Sequence, residues 1–409
     1  MRLWVKYLIG IIVGIIAAFL IPADGLQTQS NLNFIVDLVI RFARYSIVPL
    51  VFFSAIISTY KLNEEKQLLK TSAWTIGTIV VTSLILVVIG ILSAVLIYLP
   101  RIPITIEKVS ETPQLSIKEI LQSIFPYNGV QTLLDATYIL PALVFAGLAG
   151  YGAFCEKKYS STTIAVVDSV SRVCFRVMSF ITELLSVGMI AIMFKWTVDF
   201  IRLAKLSVYN PLFLLFTADF LIITLVIYPV LVRIICHDRH PFRILYGGIC
   251  SVIMAFLSGD TNATLALNIR LGKENLGIRR RTNAYVQPMF SIFARGGAAL
   301  VESISFILIL RSYSSLNITF QSVLWIAAMS FLLSFVLGNI PQGGPFFAIT
   351  VMFTLYGGGF DAGYLLLKDA APLICSFAAA IDAVTALFGS YIVAYKTKTL
   401  EVKKISRFV

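Results

Sequence analysis

Apolar residues fall in long, nearly unbroken blocks along the chain, and short polar segments between the blocks carry most of the charge. A helix needs about 20 mainly apolar residues to cross the hydrocarbon core of a bilayer. Blocks of about that length or longer lie near 5–22, 34–60, 72–99, 138–154, 163–198 and 209–236, and again near 282–311 and 370–395. Two further apolar stretches, 243–270 and 322–356, have polar, glycine-rich centres. The first centre reads Ser258-Gly259-Asp260-Thr261-Asn262-Ala263-Thr264, the second Gly338-Asn339-Ile340-Pro341-Gln342-Gly343-Gly344-Pro345. The block 282–311 is itself interrupted at Ala294-Arg295-Gly296-Gly297. The pattern predicts an all-α integral membrane protein with eight transmembrane helices plus two re-entrant helical hairpins. Residues 1–236 supply six N-terminal spans; residues 237–409 form a core of hairpin 1 (243–270), span 7 (282–311), hairpin 2 (322–356) and span 8 (370–395).

Composition agrees with the pattern. Of 409 residues, 58% are hydrophobic and 13% charged, against roughly 45–50% and about 25% in soluble domains. Disorder, a collagen-like fibre and a disulfide-stapled module are excluded, and a water-soluble enzyme nearly so. No Walker A, H-E-x-x-H or G-x-S-x-G pattern supports catalysis. The formal charge of +12 sits in clusters between apolar blocks, which is how a chain sets its orientation and meets anionic lipid, not how it binds nucleic acid. If both hairpins return to their own side, 20 of the 33 basic residues share one face with both termini and seven lie on the other. The positive-inside rule then makes both termini cytoplasmic in a multi-pass inner-membrane protein. Full crossing by the interrupted stretches would move the cluster Arg270–Arg281 to the wrong side. Arg2 and Lys6 ahead of Leu8–Ile21 read as the flank of a retained first span. Five scattered cysteines and the pair His237/His240 in a basic loop give no disulfide framework or metal set. Leu115–Phe125 reads as an interfacial amphipathic helix.

Irregular backbone at membrane depth survives only where protein or a water-filled cavity satisfies its polar groups. Two interrupted segments entering from opposite faces form inverted repeats, the pattern of a secondary transporter whose site lies between the hairpin tips. Candidate solute contacts are Ser258, Asp260, Thr261 and Asn262 on the first tip, Gly338, Asn339, Pro341 and Gly343 on the second, and Arg295 with Gly296 at the interruption. A charge at that depth costs at least about 2.5 kcal/mol and should face the bundle interior. Arg295 offers the planar donor fork that matches a carboxylate. Asp260 is open to three readings: a ligand for an amine, a proton carrier, or a helix cap. Arg41 and Arg44 read as scaffold or snorkelling residues, with Glu183, Asp219 and Glu302 as their partners or unrelated to them.

The run Met254–Leu265 with Asn268-Ile269-Arg270 resembles the serine-rich first hairpin of glutamate transporter homologues, the dicarboxylate/amino acid:cation symporter family. Val39-Ile40-Arg41-Phe42 through Val48-Pro49-Leu50-Val51-Phe52, and Ile120–Pro126, are similar to it as well. The resemblance implies a glutamate transporter-like fold that works as an elevator in a homotrimer. Spans 1, 2, 4 and 5 would be the scaffold, with spans 3 and 6 joining the moving unit. It also implies an Asn-Met-Asp-Gly-Thr sodium motif in span 7, where this chain has Ala294-Arg295-Gly296-Gly297-Ala298. Both oxygen-bearing side chains are gone, and a guanidinium about 5 Å from a sodium ion adds roughly 3 kcal/mol of repulsion at an effective dielectric near 20. This argues against the family's sodium coupling. Arg295 reads either as a substrate ligand or as a tethered substitute for a sodium ion, paired with Asp382 or Asp260. In span 8 the family's amine-binding Asp matches Asp382 in one register, and its Arg position becomes Thr385 or Gly389.

The expectation is therefore a non-enzymatic secondary active transporter for a small organic anion or amino acid, such as a dicarboxylate or a glutamate/aspartate-like solute. It has no cofactor, sodium coupling is disfavoured, and a proton is the alternative coupling ion. Membrane lipids and sister subunits are its partners. An anion channel, or a sodium-independent exchanger or uniporter of the same fold, is the competing class.

Overall fold

The computed structural model describes residues 2–21, 25–97, 99–102, 128, 130, 133, 139–313, 319–336, 343–357, 363–401 and 403–408. Among them the chain is helical throughout, with a single isolated antiparallel bridge between Ile278 and Leu400. The segment Leu115–Phe125 lies outside the described residues.

The helices are α1 (Leu3–Leu20), α2 (Leu26–Arg44), α3 (Ile47–Glu64), α4 (Leu68–Leu96), α5 (Ile139–Cys155), α6 (Lys157–Lys205), α7 (Asn210–Ile222), α8 (Tyr228–Cys236), α9 (Phe242–Ser258), α10 (Leu265–Glu274), α11 (Arg280–Phe293), α12 (Gly296–Tyr313), α13 (Phe320–Val336), α14 (Gly344–Tyr356) and α15 (Ala371–Lys396). Proline sets several breaks. α1 stops at Ile21, which turns extended ahead of Pro22 as pre-proline residues do. The expected block 34–60 is two helices, because Pro49 has no N–H to give the Tyr45 carbonyl and its ring crowds that turn. Pro229 is absorbed in the same way by a π-helical turn, Ile223–Ile227, that joins α7 to α8.

α1 lies along α6 through Gly10 and Gly14. A Cβ at Gly10 would stand 2.5 Å from the Ser186 carbonyl oxygen, and one at Gly14 2.6 Å from that of Ile190. This is the small-xxx-small contact by which membrane helices bring their backbones together, and Tyr7 Oη seals its end by donating to the Thr182 carbonyl at 3.0 Å.

Both interrupted stretches fold back on themselves. α9 runs antiparallel to α15, with Arg243 Nη2 donating to Tyr391 Oη at 2.5 Å at one end and Gly259 against Cys375 at the other. α10 then returns until Asn275 Nδ2 donates to the Gly247 carbonyl at 2.7 Å, so the mouth of this hairpin closes where it began. The strip after α15 joins the same mouth: Glu401 N–H donates to the Gly277 carbonyl at 2.8 Å and Arg279 N–H to that of Thr399 at 3.0 Å. A Cβ at Gly277, whose φ is +75°, would collide with the Glu401 carbonyl. In the second stretch the start of α13 meets the end of α14, with Ser322 and Tyr356 hydroxyls 3.3 Å apart and the Trp325 and Tyr356 rings 5.0 Å apart. Both pack on α12 through Phe306, which stacks on Phe353 at 4.4 Å. The two mouths therefore sit at opposite ends of the α11–α12 run.

Candidate functional site at the hairpin tip and the α11–α12 break

Three features converge inside the bundle: the turn between α9 and α10, the break between α11 and α12, and the middle of α15. Gly259 (φ +62°) ends α9 in the left-handed region, where glycine is unstrained. Asp260 then folds the tip, accepting the Asn262 N–H on Oδ1 at 2.9 Å. At the other break Ala294 leaves the helical region and α12 restarts at Gly296. The two glycines there are required by space. A Cβ at Gly296 would lie 2.9 Å from Ser83 Cα on α4, and one at Gly297 2.7 Å from the Ala378 carbonyl oxygen, Asp382 Oδ1 and Ile381 Cβ on α15.

Arg295 projects from this break and is buried. Its Nη2 donates to Asn262 Oδ1 at 3.1 Å, and its Nη1 stands 3.9 Å from Asp382 Oδ2. Its Nε has no hydrogen-bond partner among the described residues. Asp382 uses its other oxygen to accept the Gly297 N–H at 2.7 Å, capping the first turn of α12 where unsatisfied amides and the helix dipole favour an anion. One carboxylate thus holds both a guanidinium and a helix start.

The pairing expected between Arg295 and an acid is made with Asp382. Asp260 is taken by another residue: Arg44, at the end of α2, donates to Asp260 Oδ2 through Nε at 2.9 Å and also through Nη2. Arg44 is therefore not a snorkelling scaffold charge but a tie from the second block to the hairpin tip. Arg41 pairs with Asp37 on its own helix at 2.7 Å, and Glu183 with Lys6 at 3.3 Å and Arg270 at 2.9 Å. Arg41 and Glu183 thus pair with other residues, not with each other.

The remaining predicted residues divide by position. Thr261 and Asn262 are buried at the tip, and Thr261 Oγ1 has no partner among the described residues. Ser258 Oγ donates back to the Met254 carbonyl at 2.7 Å. Thr385 faces α8, its hydroxyl 2.5 Å from that of Tyr228, which stacks on Phe388. Gly343 (φ +69°) opens α14. Gly338, Asn339 and Pro341 lie outside the described residues. Ser258, Gly259 and Gly343 border a cavity of about 690 Å³ whose opposite wall carries Lys195, Asp199 and Arg202 of α6.

Two polar features of the site were not assigned to it from sequence. Glu302, two turns into α12, is fully buried with neither carboxylate oxygen hydrogen-bonded among the described residues. Ser291 Oγ donates to Asn262 Oδ1 at 3.2 Å, so that one amide oxygen ties the α9–α10 turn to α11 and the Arg295 fork. A lone acid in an apolar block was the available signal for Glu302. No group of three or more His, Cys, Asp or Glu among the described residues is arranged to hold a metal ion.

Comparison with known proteins finds relatives over most of the chain. Over 369 residues the chain is 24% identical to the L-cystine uptake protein TcyP of Bacillus thuringiensis (strain Al Hakam), covering 85% of this chain and 79% of that protein. It is 26% identical over 324 residues to the serine/threonine transporter SstT of Streptococcus agalactiae serotype III (strain NEM316), covering 77% and 75%. An uncharacterized symporter of Haemophilus influenzae is 21% identical over 356 residues. The model of the sodium:dicarboxylate symporter family matches residues 3–396. A multi-pass membrane protein that moves small solutes is what the helices and these relatives have in common, and the chain belongs to the sodium:dicarboxylate symporter family.

Proposed function

We propose that the chain is a secondary active transporter, working by elevator movement in a homotrimer, for a small organic solute bearing a carboxylate. The observation that carries this reading is the Arg295 guanidinium, buried at the α11–α12 break with its Nε free of any partner among the described residues. A carboxylate is also what the solutes in the relatives' names, cystine, serine and threonine, share with the dicarboxylates of the family description. The Thr261 hydroxyl at the facing tip, without a hydrogen-bond partner among the described residues, offers a second donor. Asp260 and Asp382 are held by groups of the chain itself, so neither is free for a substrate amine without giving up a partner.

Coupling follows from the same residues. Arg295 stands where the family's sodium motif would lie and is already neutralised beside Asp382, which favours a sodium-independent carrier. Glu302, with two buried oxygens lacking hydrogen-bond partners among the described residues, is the candidate proton carrier. A cytoplasmic location of both termini and of the first hairpin's mouth, in an inner membrane, completes the reading. The anion-channel alternative draws support from the large cavity between α6 and the hairpin tips.

The test uses purified protein in proteoliposomes, with a solute chosen from a thermal-shift screen of amino acids and dicarboxylates. Saturable uptake is expected to persist when choline replaces sodium. Arg295→Met is expected to weaken the solute about tenfold or more, the loss of one charged hydrogen bond. Complete dependence on sodium would refute the coupling, and anion current without saturable uptake would favour the channel.

A further inference from the structure

A second cavity, of about 250 Å³, opens far from the hairpin tip, among the end of α3, the first third of α6 and the start of α11. It is large enough for roughly eight waters at about 30 Å³ each. Its walls carry five cations, Lys61, Arg172, Arg279, Arg280 and Arg281, and among the described residues one acid, Asp168. That acid is already shared: Oδ2 accepts from Arg172 at 3.0 Å and Oδ1 from Arg280 at 3.2 Å. Arg281 turns to Glu65, and Arg279 to Glu401 at 3.0 Å, both at the rim. Lys61 has no carboxylate within ion-pair distance among the described residues. Even with both rim acids counted, an excess of two positive charges surrounds the space. Like charges gathered around a cavity repel one another, and a multivalent anion is the group that removes that cost.

We propose that this cavity binds a phosphate group. The walls present what phosphate recognition needs, planar arginine forks for paired hydrogen bonds with a lysine as a point charge. Arg280 is anchored for the task, with Nη2 donating to Ser171 Oγ at 2.7 Å while Nη1 holds Asp168. A phosphate there would tie three elements far apart in sequence, α3, α6 and α11. α11 leads directly into the break that carries Arg295. Occupancy would therefore hold α11 against α3 and α6, and in a carrier it would favour the conformation described here. Two sources have the right chemistry: the phosphodiester of an anionic lipid headgroup, since the cavity lies on the face where basic residues gather, or a soluble phosphate. The proposal does not depend on which solute the other site takes.

The experiment uses the full chain in two arms. In neutral detergent, inorganic phosphate is titrated by calorimetry at constant ionic strength in chloride. In nanodiscs of phosphatidylcholine with or without phosphatidylglycerol, lipid retained by the protein is counted by native mass spectrometry. Lys61→Gln and Arg172→Gln are chosen because both side chains are outside the buried core, so folding is retained and is checked by an unchanged melting temperature without phosphate. Arg202→Gln, on the other cavity, is the control. Binding in either arm, weakened about tenfold by each of the two variants and untouched by the control, supports the proposal. The responding arm names the source. Absence of binding in both arms, or binding that Lys61→Gln and Arg172→Gln leave unchanged, overturns it.

Discussion

α1 and the α11–α12 run are both apolar enough to cross a bilayer, yet they occupy opposite environments. Only 22% of the most apolar window of Leu3–Leu20 is buried within the chain, against 94% for Arg280–Ser312. The buried run is the less apolar of the two. In a soluble protein the order is reversed. Lipid welcomes an exposed apolar side chain, so the outside of α1 can carry Ile9, Ile12, Ile16 and Phe19. Polar groups must be hidden from lipid, so Arg295, Glu302, Ser303 and Ser305 collect in the interior run. Burial here marks where chemistry is kept, and hydropathy marks only what can cross.

Substitutions can break that contrast if it is wrong. Gly297→Val should have the largest effect. Its side chain would enter the space of Asp382 and Ile381, so a loss of about 3 kcal/mol or more in detergent unfolding is expected, together with loss of solute binding. A variant that melts like the parent would show that the break is not packed as described. Next come two sites on α1 itself. Gly10→Val, on the face toward α6, should cost about 1–3 kcal/mol. Ile12→Ala, on the lipid face, should stay within about 0.5 kcal/mol. Equal effects at the two positions would mean that α1 does not present distinct inner and outer faces.

The smallest expected effect lies outside the spans, in the loop between α8 and α9. Burial by itself would raise the Asp238 carboxyl. Hydrogen bonds from Tyr391 Oη at 2.6 Å and the His240 N–H at 3.0 Å, with the Arg243 charge, outweigh it and hold the group below its usual range. A carboxyl so lowered adds stability above its unfolded value near 3.9, and that stability drains away as pH falls through the folded value. Melting temperature should fall on acidification below about pH 4, and Asp238→Asn should flatten that limb. An unchanged acid limb in the variant would remove Asp238 from the linkage.

Much of the architecture was legible because the bilayer imposes it. The apolar blocks located most of the helices, and the polar centres at Ser258–Thr264 and Ala294–Gly297 two of the breaks, although α2 begins well before the block expected from 34 and α6 runs past both ends of the block 163–198. Other features were not legible. The split at Tyr45 follows from Pro49 but was masked by the apolarity on both sides of it. Arg44 looked like a scaffold charge because its partner, Asp260, is 216 residues away. Glu302 looked incidental because a single acid has no spacing to betray it. Gly10 and Gly14 were legible in principle, as glycines four apart in an apolar helix, but only the Ser186 and Ile190 carbonyls explain them.

Sequence alone determined that the chain lives in a membrane, and where its long apolar blocks and their polar interruptions fall, since these follow from local hydropathy and from the cost of unsatisfied backbone in lipid. The tertiary structure decided which charge meets which: Arg44 with Asp260, Arg295 with Asn262 and Asp382, and the cations Lys61, Arg172 and Arg280 gathered with Asp168 around one cavity. Ion pairs depend on separations of a few ångströms between residues far apart along the chain, and only the folded backbone fixes those.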